Sequence, residues 1–309
     1  MQTVVFHVGC AKAASTSIQA SLTKYRSLLF DEGYFYPLSP YQKQPEFALL
    51  ASFNIFTSFC TYLNFIPRSF DQNANIRDFF KLRVSAYFSD FKNSHCHTLV
   101  LSDEILPYYC STVEQLKRLR SLFPDDLDIR FIYYMRPPAD MYTSLYSTLV
   151  KVDQTNLWPH QFYLPSTLDQ SHQWICSPAM FDHSNFISNI QSVFGCDCVS
   201  SYHYCDILQS SDFASPVDHF FGLLGFKASC PLDCKSNPRL DYFSLYVLCI
   251  YNRAIRIFSS RRLLHLFLLD FRSKLLIPLL ESFASFGFFR FPSRRILLRR
   301  RSFDKLFSF

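Results

Sequence analysis

Lys12 is followed within five residues by three hydroxyls, Ser15, Thr16 and Ser17, in the stretch "FHVGCAKAASTSIQASL" spanning residues 6–22. An ammonium and clustered hydroxyls suit an anion, and phosphate is the usual occupant where a loop enters a helix. The unpaired N–H groups of a helix's first turn and the positive end of its dipole add to that attraction. The same residues also fit an ordinary capped helix start, in which a hydroxyl satisfies the backbone. A Walker loop is a different arrangement: it needs Gly-Lys-Ser/Thr at the helix start with the hydroxyl on magnesium, whereas Ala14-Ser15 takes the place of Gly-Lys here. A second constellation lies in "YYMRPPADMYTSLYSTLVK", residues 133–151. Arg136 ends an apolar run and Ser144 lies eight residues on, in a helical pattern; a guanidinium fork and a hydroxyl on adjoining elements can grip one phosphate. Asp103 and Glu104 close a third apolar run, where a carboxylate can take a proton or steady a helix start.

These side chains need elements to bring them together. Short apolar runs predict buried strands over residues 3–8, 98–102 and 129–135, with a fourth near 198–203. Ile18, Leu22, Tyr25, Leu28 and Leu29 recur at helical spacing and predict a helix over 16–29, ended by Gly33, after which "YFYP" starts an extended segment. Further helices are expected over 113–123, 139–151 (entered through Pro137 and Pro138), 185–194, 216–224 and 241–258. Short strands alternating with helices predict an α/β fold, a parallel sheet flanked by helices. Ligands on such sheets sit beyond the carboxyl ends of the strands. The loops after the three clearest strands carry Lys12, Glu104 and Arg136, so all three are expected to face one crevice.

At 309 residues and 49% hydrophobic, the chain can build a sizeable core, which excludes a mainly disordered protein. The 11 cysteines are odd in number and irregularly spaced, and Met1 and Gln2 lead straight into the first strand; reduced thiols and a cytoplasmic location are expected. His95-Cys96-His97, Cys196/Cys198, His203/Cys205 and Cys230/Cys234 lack the paired spacing of structural zinc sites, so no metal is expected. No apolar run reaches the roughly 18 residues of a membrane span. Charge is uneven: residues 253–309 hold 13 Lys/Arg against 3 Asp/Glu, a net +10, leaving −4 on residues 1–252 of a +6 chain. Such an extension is either a solvated helix face or a surface for anions. Arg294, Arg295, Arg299, Arg300 and Arg301, interleaved with Ile and Leu, suit peripheral contact with an anionic inner-membrane surface. Nucleic acid is not an expected partner, because no recognisable reading module accompanies these residues.

"HVGCAKAASTSIQ" resembles the opening loop of the sulfotransferases, particularly the bacterial-type carbohydrate family, which reads approximately His-Ile-Gly-x-Pro-Lys-Thr-Gly-Thr-Thr-Ser-Leu-Gln. "RPPADMYTSLY" resembles that family's Arg-x7-Ser element. The likeness extends through "LLFDEGYFYP" (28–37), "LVLSDEIL" (99–106), "DHFFGLLG" (218–225) and "SNPRLDYFSLYVLCIYNR" (236–253), covering roughly residues 1–255 in order. It implies a P-loop-like α/β domain over 1–255; residues 256–309 lie beyond the likeness and are expected to form a basic, Phe/Leu-rich helical extension packed on that domain. It also implies the donor 3′-phosphoadenosine 5′-phosphosulfate (PAPS) and a hydroxyl acceptor, a carbohydrate or glycolipid. By this likeness Lys12, Ala13, Ala14, Ser15, Thr16 and Ser17 cradle the donor's 5′-phosphate, and Arg136 and Ser144 hold its 3′-phosphate. Ala11 replaces the family's usual proline and Ala14 its usual loop glycine. If position 14 requires a positive φ, alanine strains the loop by about 1–2 kcal/mol.

The chemistry implied is in-line sulfuryl transfer. Lys12 is the expected cation for the charge that builds on the bridging oxygen. Glu104 is the expected base for the acceptor hydroxyl, with Asp103, His7 and Glu32 as substitutes. The donor carries its own activated group, so the reaction requires no metal, in contrast with phosphoryl transfer. Two other readings fit parts of the sequence: a P-loop nucleotide-binding protein of kinase-like chemistry, marked by magnesium and ATP binding, and a non-catalytic sulfotransferase-like binding protein, marked by folding without donor affinity.

Overall fold

A computed structural model describes residues 2–9, 13–38, 44, 46–52, 73–104, 106–137, 140–141, 144, 147, 150–151, 182–226, 242–257, 268 and 270–286. The chain divides into two compact units, residues 1–136 with 179–235, and residues 137–178 with 236–309.

The first unit holds a five-stranded parallel sheet. Its strands are β1 (Thr3–Gly9), β2 (Tyr34–Phe35), β3 (Thr98–Ser102), β4 (Asp128–Met135) and β5 (Val199–His203), in the order β2-β3-β1-β4-β5. The helices are α1 (Ser15–Lys24), α2 (Arg26–Asp31), α3 (Glu46–Ala51), α4 (Asn73–Lys92), α5 (Leu106–Tyr109), α6 (Val113–Arg120), α7 (His183–Phe194), α8 (Tyr204–Gln209) and α9 (Pro216–Leu223). This is the α/β fold expected: parallel strands, buried by helices. The registers place Gly9 of β1 level with Tyr134 of β4, and His7 level with Ser102 of β3, so the carboxyl ends of three neighbouring strands form one edge.

Alternation along the strands sorts the two faces. Phe6 stacks on Phe131 at 5.8 Å and meets Phe47 of α3 edge-on at 5.7 Å, while Phe131 meets Phe194 of α7 at 4.9 Å. On the opposite face His7 packs against Phe220 of α9 at 5.0 Å, and Tyr25 against Phe221 at 6.2 Å. The helix expected over 16–29 is two helices, parted at Tyr25, whose φ of −98° and ψ of 15° leave the helical region. α4 escapes a simple periodic reading: Phe80, Val84, Tyr87 and Phe91 form a buried stripe, but Phe79 and Leu82 add exposed apolar residues off it. Across α3 and α4, buried Glu46 pairs with Arg83 at 2.7 Å and accepts from Tyr87 Oη at 3.1 Å.

In the second unit, residues 140, 141, 144, 147, 150 and 151 are helical. α10 (Tyr242–Ile257), a π-helical turn (Arg272–Leu276) and α11 (Ile277–Phe286) follow. Asn252 ties them together: its Nδ2 donates to Val150 O at 2.8 Å and its Oδ1 accepts from Arg272 Nη1 at 3.1 Å. Lys151 and Glu281 pair at 2.5 Å. No helix among the described residues is long and apolar enough to cross a membrane. The arginine cluster at 294–301 lies outside the described residues.

Candidate active site

β1 ends at Gly9, and the chain enters α1 through Ala13, which is fully buried, and Ala14. Cys10, Ala11 and Lys12 lie outside the described residues. Ala14 has φ 63° and ψ 11°, and among the described residues it is the one non-glycine in the left-handed region. The positive φ considered from the sequence is therefore present, with its steric cost of about 1–2 kcal/mol. Glycine removes that strain but gives back roughly 0.4–1 kcal/mol in unfolded-state entropy. Ala14→Gly is expected to stabilise the chain by about 0.5–1 kcal/mol, read as a higher denaturant midpoint at constant slope. A lowered midpoint contradicts strain at this turn.

Alanine offers no side-chain cap, and α1 has no acidic residue in its first turn. The first intrahelical bond runs from Ile18 N–H to Ala14 O at 3.0 Å, so the amides of residues 15–17 precede the helical ladder. The start of α1 is therefore not the side-chain-capped start that was one of the two arrangements considered from the sequence. The carboxylate of Glu104, just past β3, reaches this helix start and accepts a hydrogen bond from Ser15 Oγ. Ser15 is buried and spends its hydroxyl on that carboxylate, whereas Thr16 is exposed and Ser17 half-buried.

Glu104 and its possible substitutes stand in different places. Asp103 N–H donates to His7 O at 3.0 Å, continuing the β1–β3 ladder. Its buried carboxylate bears on Cys110, whose thiol is pushed up by burial first and the Asp103 charge second. His7 is fully buried, with Nδ1 2.8 Å from Ser102 Oγ. Burial drives its pKa down to about 3, against the raising effect of Glu104, and a ring so weakly basic is a poor proton acceptor. A Cβ on Gly9 would lie 3.7 Å from His7 Nε2 and 3.4 Å from Ser15 Cβ, so the ring lines the underside of the turn. Glu32 caps the end of α2 and is exposed. It precedes β2, whose Tyr34 is level with Thr98 at the start of β3, so it lies at the amino end of the sheet, about 13 Å of strand away from the Ser102 edge.

Arg136 follows β4 at the same carboxyl edge as Gly9 and Ser102. Its guanidinium lies over the Tyr204 ring at 5.6 Å, a cation–π contact with the first residue of α8. Its carbonyl is 2.9 Å from His183 Nε2, and His183 Nδ1 is 2.8 Å from Tyr133 Oη. Burial lowers the His183 pKa, against the raising effect of the bond to Arg136 O. Ser144 belongs to the second unit, where it is helical and buried. Tyr204 and His183 escaped sequence reading. An Asp-His pair at a helix start was the available signal for the latter: Asp182 caps α7 by accepting from Asn185 N–H at 3.0 Å, which starts the helix at His183 rather than 185. Among the described residues no three His, Cys, Asp or Glu side chains gather as metal ligands.

No protein-family model matches this sequence, and no curated protein matches it. Among solved structures, the crystal structure of a sulfotransferase from Alicyclobacillus acidocaldarius is similar to this chain at 15% sequence identity and a TM-score of 0.47, over 87% of this chain and 95% of that one.

Proposed function

We propose that this chain is a sulfotransferase that moves a sulfuryl group from PAPS to a hydroxyl acceptor, a carbohydrate or glycolipid. One observation carries most of the reading: an uncapped helix start, a carboxylate bonded to its first hydroxyl, and an arginine after the adjoining strand converge on one sheet edge. A donor with phosphates on both the 3′ and 5′ oxygens of one ribose calls for two nearby anion sites, and neighbouring strands lie about 4.8 Å apart. The amides of Ala13, Ala14, Ser15, Thr16 and Ser17 would receive the 5′ end and Arg136 the 3′-phosphate, with Ser144 proposed from the sequence as a second 3′-phosphate ligand. Residues 1–255 form the catalytic domain in this reading, and 256–309 a basic extension for an anionic inner-membrane surface.

Glu104 takes the proton of the acceptor hydroxyl while that oxygen forms its bond to sulfur. The bond from sulfur to the bridging oxygen breaks, its electron pair leaves with adenosine 3′,5′-bisphosphate, and Lys12 balances the new charge. Calorimetry tests the reading: adenosine 3′,5′-bisphosphate is expected to bind without magnesium and more tightly than AMP. Tighter binding of Mg-ATP instead points to phosphoryl transfer, and no affinity for any of the three points to a protein without donor chemistry. Lys12→Ala is expected to lower turnover about 100-fold and change donor affinity by less than about tenfold. Unaltered turnover removes Lys12 from the reaction.

A further inference from the structure

Arg136 is followed in the sequence by Pro137 and Pro138, neither of which has an N–H to extend the β4 ladder. The backbone that carries the guanidinium therefore leaves the sheet where strand pairing can no longer hold it. The residue before a proline is confined to extended angles, but that alone does not fix where its carbonyl points. His183 supplies a fixed point. A carbonyl only accepts, so the 2.9 Å contact to Arg136 O requires the proton on Nε2 and leaves Nδ1 with a lone pair. That lone pair accepts from Tyr133 Oη at 2.8 Å. Tyr133 is buried in β4, three residues before Arg136, and packs against Phe186 of α7 at 5.2 Å. One histidine thus joins Tyr133, inside β4, to the residue that follows the strand, through a ring whose tautomer the Arg136 carbonyl dictates.

We infer that His183 is a positioning residue for Arg136: by anchoring the carbonyl, it keeps the guanidinium over Tyr204 with its in-plane donors turned to the 3′-phosphate of the nucleotide. This rests on the sulfotransferase reading for the identity of the ligand, and on the hydrogen bonds alone for the positioning. Stacking occupies the face of a guanidinium, whereas phosphate recognition uses its edge, so the two roles are compatible. His183 itself need not touch the nucleotide.

Two variants separate positioning from packing. His183→Phe keeps a ring and loses the bond; His183→Gln restores an N–H donor at about the reach of Nε2. In the full chain, His183→Phe is expected to weaken adenosine 3′,5′-bisphosphate about tenfold and leave AMP within about twofold, while His183→Gln stays within about threefold for both. Tyr133→Phe, which removes the hydrogen bond that ties the ring to β4, is expected to fall between them and stands in if His183→Phe does not fold. A ligand-free readout accompanies these: the Arg136 Nε–H resonance, identified by its loss in Arg136→Lys, is expected to be sharp in the parent and in His183→Gln and broadened by exchange in folded His183→Phe. An unaltered resonance in His183→Phe, or equal loss of bisphosphate and AMP affinity, overturns the inference. Absence of bisphosphate binding by the parent itself would overturn the sulfotransferase reading, and the resonance would still decide the role of His183.

Discussion

Arg136→Ala is expected to bind adenosine 3′,5′-bisphosphate about 300-fold more weakly than the parent, with AMP affinity changed less than about threefold. The asymmetry follows from where the guanidinium stands. Arg136 is beyond β4, and the uncapped start of α1 is beyond β1, so a ligand that reaches both has one anionic end at each. AMP has no 3′-phosphate, so under the proposed assignment it would lose nothing when the guanidinium goes. The large factor reflects a planar fork already ordered by the Tyr204 ring and by the bond from His183 to its carbonyl, so little entropy is lost on binding. Arg136→Lys keeps the charge and loses the fork; it is expected to recover about tenfold of the lost affinity. Calorimetry of both nucleotides against the three proteins gives the comparison. Equal losses for AMP and bisphosphate mean that Arg136 supports the whole cleft rather than one phosphate.

The parts of this site that could be read from the sequence were those encoded locally. Val4, Val5 and Phe6, or Leu99, Val100 and Leu101, declare a buried strand because parallel strands covered on both faces need apolar residues without interruption. Once three such strands are placed in one parallel sheet, the rule that ligands gather beyond their carboxyl ends brings position 104 and position 136 to one edge. The positive φ at Ala14 could be framed as a condition, since a turn entering a helix so often requires it, but only coordinates supply the 63°. What could not be read was pairing across long stretches of chain. Ser15 was expected to give its hydroxyl to an anion, yet Oγ donates to Glu104, 89 residues away. His183 meets a carbonyl 47 residues away. Neither contact leaves a periodicity or a composition bias. The choice among Glu104, Asp103, His7 and Glu32 is of the same kind: all four carry acid–base groups, and sheet register and burial distinguish their surroundings.

Glu104→Gln is expected to reduce sulfuryl transfer about 1000-fold and leave donor binding within about twofold. Glutamine matches glutamate in shape, and its Oε1 can still accept from Ser15 Oγ, so the link between the β3 end and α1 survives. The capacity to take a proton is lost, together with the negative charge. The competing role for this carboxylate is electrostatic, a negative charge placed at the positive end of α1, which has no acidic residue of its own in the first turn. Such a contact contributes about 0.3–1 kcal/mol to stability. If that were the whole of its role, Glu104→Gln would lower the unfolding midpoint and transfer would persist. Measuring release of adenosine 3′,5′-bisphosphate from PAPS across a panel of sugar acceptors, beside calorimetry of the donor product and a denaturant titration, separates the two cases. Ser15→Ala sharpens the test: it removes the donor that orients the carboxylate but not the carboxylate itself, so transfer is expected to fall by a smaller factor, about tenfold. A fully active Glu104→Gln protein would transfer the base role to a group elsewhere on the same edge.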